Sequence, residues 1–490
     1  MGSRDGHNEK NRRAFDNPAK LCKIICRDRL NINNSAPCNL NYVNYVTLTC
    51  CISGQESLPE KPSDCPAAEY FHASVKVAIF TQITDMSNSG ETSVFITLLK
   101  NGYARVFYRN WPVWLGGLLI GITSVITFAW ARPWGVVGGV REWVDWLFYY
   151  LGIYRSHPYY NPLLSTSSIL TFGLIWGAFA SSLLSKQFTI KTPPPFELIK
   201  GAIGGTLMGI GAAMAGGCNV GGFFSATSAL SLSGLGMMAG LSIGAFLEVR
   251  YIYWELEHLH FRRGEGRLKR PKDGATGWKR IQPWLGGLAM LAVFTGAYVY
   301  RSYGIDPSSG YNYTKTGGLL IAGTAFGIIL HRTRFAFLQA FREPFTSGNA
   351  AQARGMTIAV VVSVLGFAAL KASGLRPEGV YVMPTFWVGS FVGGIIFGFG
   401  MPFAGGCASG TCWRTAEGNI KNLTAFVFFG VSNSLSQALI DSSGRISSLM
   451  GKKVFLPYYI SYHWSVVLII VIMFLYYLVT SWNEKTGAFI

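Results

Sequence analysis

PFELIKGAIGGTLMGIGAAMAGGC at residues 195–218 and PTFWVGSFVGGIIFGFGMPFAGGC at residues 384–407 align without a gap at an offset of 189 residues. The matched pairs are Gly204/Gly393, Gly205/Gly394, Gly209/Gly398, Gly211/Gly400, Ala215/Ala404, Gly216/Gly405, Gly217/Gly406 and Cys218/Cys407. So many small residues and a cysteine in one register read as an internal duplication of an apolar helix. Small residues three or four apart let transmembrane helices approach closely, so packing is the expected role of Gly204 to Gly211 and their partners. The doublets Gly216-Gly217 and Gly405-Gly406 fall where each apolar run ends, and adjacent glycines there favour a break. Each element is therefore read as a helix that stops within the membrane, followed by a short helix that starts there.

The surrounding composition fits that reading. Half of the 490 residues are hydrophobic, 13% are charged, 58 are glycine and the mean hydropathy is +0.30. Crossing a hydrocarbon core takes about 20 mostly apolar residues. The apolar runs are Trp114 to Trp130, Ser168 to Leu184, Leu198 to Met214, Leu235 to Leu247, Leu285 to Tyr298, Gly317 to Leu330, Met356 to Ala369, Phe386 to Ala404, Leu423 to Leu439 and Trp464 to Val479. The shorter ones are candidates for re-entrant or tilted segments. The expected fold class is an all-α multi-spanning integral membrane protein, with two internally repeated halves and broken or re-entrant helices at the GGC elements.

The net charge of +18 raises the question of nucleic acid. Residues 1–85 hold 10 Lys and Arg against 9 Asp and Glu, leaving 32 against 15 on the remainder. The positive charge thus belongs to the membrane part, where topology-setting loops are the expected role and no nucleic-acid groove is called for. The densest basic stretch, Phe261 to Ile281, is expected on the cytoplasmic side. The expected layout is a polar extension at 1–85, a first membrane repeat at 86–260, a basic cytoplasmic loop at 261–282 and a second membrane repeat at 283–490. The extension holds six of the nine cysteines and no signal-peptide pattern; it is read as disordered, or as a gene-start artefact ahead of Met86.

Cys218 and Cys407 stand at equivalent points of a duplicated helix break, followed by Asn219 in one half and by Ser409, Thr411 and Cys412 in the other. N–H groups at a helix start are donors with partial positive charge, suited to an anion. A thiolate would repel an anion, so the neutral S–H is the useful form, and its polarisable sulfur suits a sulfur or selenium atom better than a hard oxygen. No four convergent ligands for zinc, no Ser/His/Asp set and no P-loop are found, so neither a metal nor another cofactor is expected. Asn433 and Gln437 share one face of an apolar run, either as interhelical hydrogen-bond partners or as path-lining groups. Arg414 and Glu417, three apart, are read as a pair, and His331 to Arg334 with the following RTRFAFLQAFRE segment as cytoplasmic anchoring.

AGGCNVGGFFSA at Ala215–Ala226, RTRFAFLQAFRE at Arg332–Glu343 and AGGCASGTCWRTAEG at Ala404–Gly418, with Asn433 downstream, resemble the YeeE/YedE family of inner-membrane transporters. The resemblance covers roughly Trp111 to the C-terminus and is closest to the longer YedE-type members. It implies a helical bundle with short inward-dipping helices, uptake of thiosulfate or a selenium species, and membrane cysteines that pass the anion along by S–H contacts. Those roles would fall on Cys218 and Cys407. It also implies a small TusA-like sulfur carrier as a cytoplasmic partner, besides the anion itself and membrane lipid. Relatives carry a further cysteine where Ala336 stands, so a three-thiol relay would lack a member unless Cys412 takes its place.

The expected function is import of a small sulfur- or selenium-containing anion across the cell inner membrane, with no catalytic residue. The expected path is lined by Cys218, Cys407, Cys412, Gly216, Gly217, Asn219, Gly405, Gly406, Ser409 and Asn433. Two other readings compete: a membrane-embedded thiol sulfurtransferase or redox protein using Cys407 and Cys412, and a less selective anion or solute channel in which the glycines only pack.

Overall fold

A computed structural model describes residues 91–158, 161–258, 276–305 and 312–488. The expectations for the polar extension at 1–85 and for residues 261–275 of the basic loop lie outside the described residues. Lys279 and Arg280, assigned to that loop from sequence, lie in the first turns of a helix beginning at Thr276.

In chain order the helices are α1 (Glu91–Tyr103), α2 (Val113–Trp130), α3 (Val137–Tyr150), α4 (Thr166–Leu184), α5 (Pro195–Ala215), α6 (Leu232–His258), α7 (Thr276–Tyr303), α8 (Tyr313–Thr333), α9 (Phe337–Thr346), α10 (Ala351–Ala372), α11 (Val388–Ala404), α12 (Ala408–Ala416), α13 (Ile420–Ser442), α14 (Gly444–Met450) and α15 (Pro457–Thr486). A π-helical turn, Asn219–Ser225, runs into Ala226–Ser228 between α5 and α6. All but the first residues of α1 belong to one compact unit from Phe95 onward. Among the described residues there is no strand, only isolated bridges such as Lys191 with Asn419.

Ten segments among the described residues are long and apolar enough to cross a membrane; nine contain one of the ten apolar runs whole, and the run read from Phe386 enters its segment at Val388. The shorter runs are not the re-entrant pieces. Leu235 to Leu247 and Leu285 to Tyr298 are the middles of α6 and α7, which have 27 and 28 residues. Their ends are polar or charged, and helix formation continues past the apolar stretch because backbone bonding does not need apolar side chains. The short elements are instead α3, α9, α12 and the Asn219–Ser228 segment.

Packing is organised about α5 and α11, which cross each other. A Cβ on Gly211 would lie 2.6 Å from Gly393 O and Phe397 N, and one on Gly393 would lie 2.7 Å from Gly211 O. The close approach therefore has no room for a methyl group, and the glycines of the duplicated stretch pack as expected. A second glycine stripe on each helix meets a different neighbour: Gly205 lies against Ala425 of α13, and Gly394 against Met237 and Gly240 of α6. Around this centre α2 packs on α10, α8 on α4, α3 on α4 and α13, and α9 on α10 and α6. Trp134, Phe223, Phe224, Phe326, Phe337 and Phe341 form an aromatic core beside the crossing, with Trp134 and Phe326 stacked at 4.2 Å and Phe223 and Phe341 meeting edge to face at 5.5 Å.

Gly211→Ala should destabilise the protein by about 1–3 kcal/mol, because two backbones must move apart. Gly287→Ala, in α7 with nothing within 4 Å of its added carbon, should be neutral or stabilising by up to about 1 kcal/mol. Thermal unfolding in detergent reads both; equal melting points would contradict the crossing described.

Candidate functional site

The two GGC elements follow the same backbone path. Helix α5 ends in a left-handed Gly216 (φ 73°, ψ 12°) and α11 in a left-handed Gly405 (φ 79°, ψ 12°). Cys218 (φ −75°, ψ −177°) and Cys407 (φ −73°, ψ 177°) are then extended and open the short helices that follow. The first glycine supplies the left-handed turn that an L residue adopts only with strain. The second sits beneath the new helix: a Cβ on Gly217 would be 2.7 Å from Gly222 N, and one on Gly406 would be 3.2 Å from Thr411 N.

A helix that stops inside the protein leaves carbonyls that need donors. Thr385 Oγ1 donates to Ala215 O at 2.9 Å, and Asn422 Nδ2 donates to Ala404 O at 3.1 Å, so each break is capped by a side chain from another element. Arg414 Nη1 donates to Gly405 O at 2.5 Å. None of these three caps was expected from sequence, because each partner is distant in the chain or was read as paired elsewhere.

Cys218, Cys407 and Cys412 are fully buried and free of disulfides. Their sulfurs lie close enough that charge on one would be felt by the others. The freed N–H groups, expected to face an anion, are partly taken by the thiols themselves. Gly410 N donates to Cys407 Sγ at 3.3 Å, with Ser409 Oγ 3.5 Å from the same sulfur. With a lone pair engaged by Gly410 N, the Cys407 sulfur keeps its S–H for a further acceptor.

Asn219 is fully buried, and neither its amide nitrogen nor its oxygen has a partner among the described residues. Burying such an amide without hydrogen bonds costs about 2–7 kcal/mol, so the position calls for a polar ligand. Asn433 Nδ2 donates to Gly209 O at 3.1 Å across the helix interface, while its Oδ1 has no partner among the described residues and the residue lines a cavity. Ala336 is buried at the start of α9, its N–H donating to Gln352 Oε1 at 3.2 Å.

The cavity, of about 320 Å³, reaches Gly216, Gly217, Gly221 and Asn433. It is also lined by Arg132, Ser167 and Tyr381, which sequence reasoning missed. Arg132 Nη1 hydrogen-bonds Ser167 Oγ, and its Nε is buried without a partner. The Tyr381 hydroxyl would be 3.2 Å from a Cβ on Gly221. Its packed surroundings push the phenol up, so it stays a neutral donor. The only sequence signal was a lone arginine, Arg132-Pro-Trp, just after a span. A neighbouring cavity of about 610 Å³ shares Arg141, Glu142 and Gln437 with the first, making one polar funnel.

Beyond α12 lies a second polar cluster. Glu417 does not pair with Arg414, as its spacing suggested. It accepts from His331 Nε2 at 3.0 Å and forms an ion pair with Arg334. Ser181 Oγ lies 2.9 Å from His331 Nδ1. His331 and Arg332 are fully buried, and Phe335, Phe337 and Phe341 enter the core, so this segment is not an anchor in the interface. Arg342 likewise meets Glu248 at 3.3 Å. The i,i+3 spacing lost because both helix ends pack against α4 and α8, which bring closer partners.

Burial pushes the Glu417 carboxyl up, but the His331 hydrogen bond and the Arg334 charge outweigh it and hold the group below the ordinary value of 4.5. A lowered folded value means that its stabilisation is complete above the ordinary value and is lost as pH falls through the folded one. The melting point in detergent should therefore stay level from pH 7 to about 5 and fall below about 4. Glu417→Gln should lower it by a few degrees at pH 7 and flatten the acid fall; an unchanged acid slope would refute this role.

Residues 75–247 and 332–488 match the family model described as Sulphur transport. The chain is 23% identical over 316 residues to the Probable transporter YedE of Escherichia coli, covering 63% of this chain and 75% of that protein. It is 34% identical over 119 residues to the Thiosulfate transporter TsuA of Escherichia coli, covering 24% of this chain and 33% of that one. A TsuA of Spirochaeta thermophila is 34% identical over 112 residues, covering 23% and 33%. With its ten apolar helices and two matched segments, the chain is a multi-pass membrane protein that belongs to the sulphur-transport (YeeE/YedE) family.

Proposed function

We propose that this protein imports a thiosulfate-like anion through the cytoplasmic membrane, along a path that passes Cys218, Asn219, Cys412 and Cys407. The observation that carries the reading is the pair of helix breaks with like backbone angles, each placing a buried thiol at a helix start, with the unsatisfied Asn219 amide next to the first. The relatives named as thiosulfate transporters support the substrate class.

In this reading Arg132, Ser167 and Tyr381 receive the anion in the funnel and replace part of its hydration shell. The neutral S–H groups and the Asn219 amide then donate to it in turn. A thiol offers a weak, short-lived hydrogen bond, which suits passage better than tight binding. Cys412 supplies the third thiol in place of one at Ala336. A selenium analogue with the same charge and a soft terminal atom would pass by the same contacts.

The five candidate crossings from α2 to α7 and the five from α8 to α15 support a repeat boundary between α7 and α8, later than residue 283. An odd number per half relates the halves by inversion. With the basic residues 261–275 inside, Glu417 faces the cytoplasm and the Arg132 funnel faces outward.

Uptake of radiolabelled thiosulfate by cells lacking other sulfur-uptake routes should appear when this chain is expressed. Cys218→Ala and Cys407→Ala should each lower it by ~10–100-fold, the loss expected for one hydrogen bond to a charged ligand of about 1.5–3 kcal/mol. Uptake at the full rate by both variants would end the thiol reading. Equal permeation of sulfate would favour an unselective channel.

A further inference from the structure

Arg334 and Arg414 converge on one indole. Each guanidinium carbon is 5.1 Å from the centroid of the Trp413 ring. Trp413 is 2% exposed, and its Nε1–H has no acceptor among the described residues. Arg414 holds Gly405 O at the helix break and lies within electrostatic reach of Cys407, so it stands at the end of the proposed thiol path. Arg332, next in the cluster, is fully buried with Nε and Nη1 lacking acceptors. Arg332, Arg334 and Arg414 all lie within electrostatic reach of one carboxylate, Glu417, so the cluster carries more positive than negative charge and suits an anion.

Building on the transport reading, we propose that Arg334, Arg414 and the Trp413 indole N–H form an inner binding site for a small doubly charged oxyanion, and that Glu417 occupies Arg334 in the ligand's place when the site is empty. An anion leaving Cys407 meets Arg414 first. It then draws Arg334 from Glu417, while the indole N–H donates to one of its oxygens. When Glu417 recaptures Arg334, the anion loses a charged partner and is released. Glu417 is thus a positioning residue that sets the release rate, and Trp413 with the two arginines makes the contact.

Proteoliposomes holding the full chain, loaded inside with unlabelled thiosulfate, would measure how inner anion inhibits uptake of labelled thiosulfate. Glu417→Gln should lower the maximal rate and KM together by severalfold, and should require severalfold less inner thiosulfate for half inhibition. Trp413→Phe keeps the ring but removes the donor; it and Arg334→Gln should require severalfold more inner thiosulfate for half inhibition. Should Arg334→Gln fail to fold, the other two variants decide. Uptake that persists in Trp413→Phe and Glu417→Gln with unchanged inner inhibition would overturn the inner site alone, leaving transport intact. No uptake by the unaltered chain would remove both.

Discussion

A peptide group without a hydrogen-bond partner is expensive in hydrocarbon, and every unusual feature of this protein answers that constraint. Helices α5 and α11 stop short of a full connection and expose carbonyls inside the protein. Thr385 satisfies one carbonyl from 170 residues away and Asn422 the other from the helix after next, and Cys407 sulfur satisfies an N–H of the helix that follows. Without these caps a break at that depth would close up into continuous helix. With them, two short helices begin beside buried thiols, and the backbone is irregular only where protein surrounds it.

The breaks in turn depend on how tightly α5 and α11 pack. Glycine stripes bring the two backbones together and also seat α13 and α6 on their flanks. In a membrane, helix association gains little from the hydrophobic effect, so close van der Waals contact between small residues carries the load. Beside this crossing Cys218, Cys407 and Cys412 are all fully buried, and Asn219 has no hydrogen-bond partner among the described residues. A family-wide role in sulphur transport fits a centre made of soft, weakly donating groups flanked by arginines at both ends.

The two arginine clusters differ in kind. Arg132 borders a funnel and is held by a serine hydroxyl, while Arg334 is held by a carboxylate that is itself fixed by His331. At the first, the carboxylate within electrostatic reach is Glu142, which lines the same cavity; at the second, Glu417 forms a direct ion pair. The residues after the first GGC are Asn219-Val-Gly-Gly, whereas those after the second include Cys412, Trp413 and Arg414.

The helical membrane class, ten apolar segments and two broken helices were legible in the sequence, because apolar runs, glycine doublets and a repeated register are local signals. The left-handed turn at Gly216 and Gly405 follows from the glycine alone. The short elements α3 and α9 were less legible: both mix phenylalanine with arginine and glutamate over too few residues to read as a crossing, and their packing against α13 and α6 is a tertiary feature. Arg132, Tyr381, Thr385 and Asn422, and the true partner of Glu417, were not legible. Hydrogen-bond partners separated by more than 80 residues leave no periodic trace, so the tertiary fold alone determines which donor meets which acceptor.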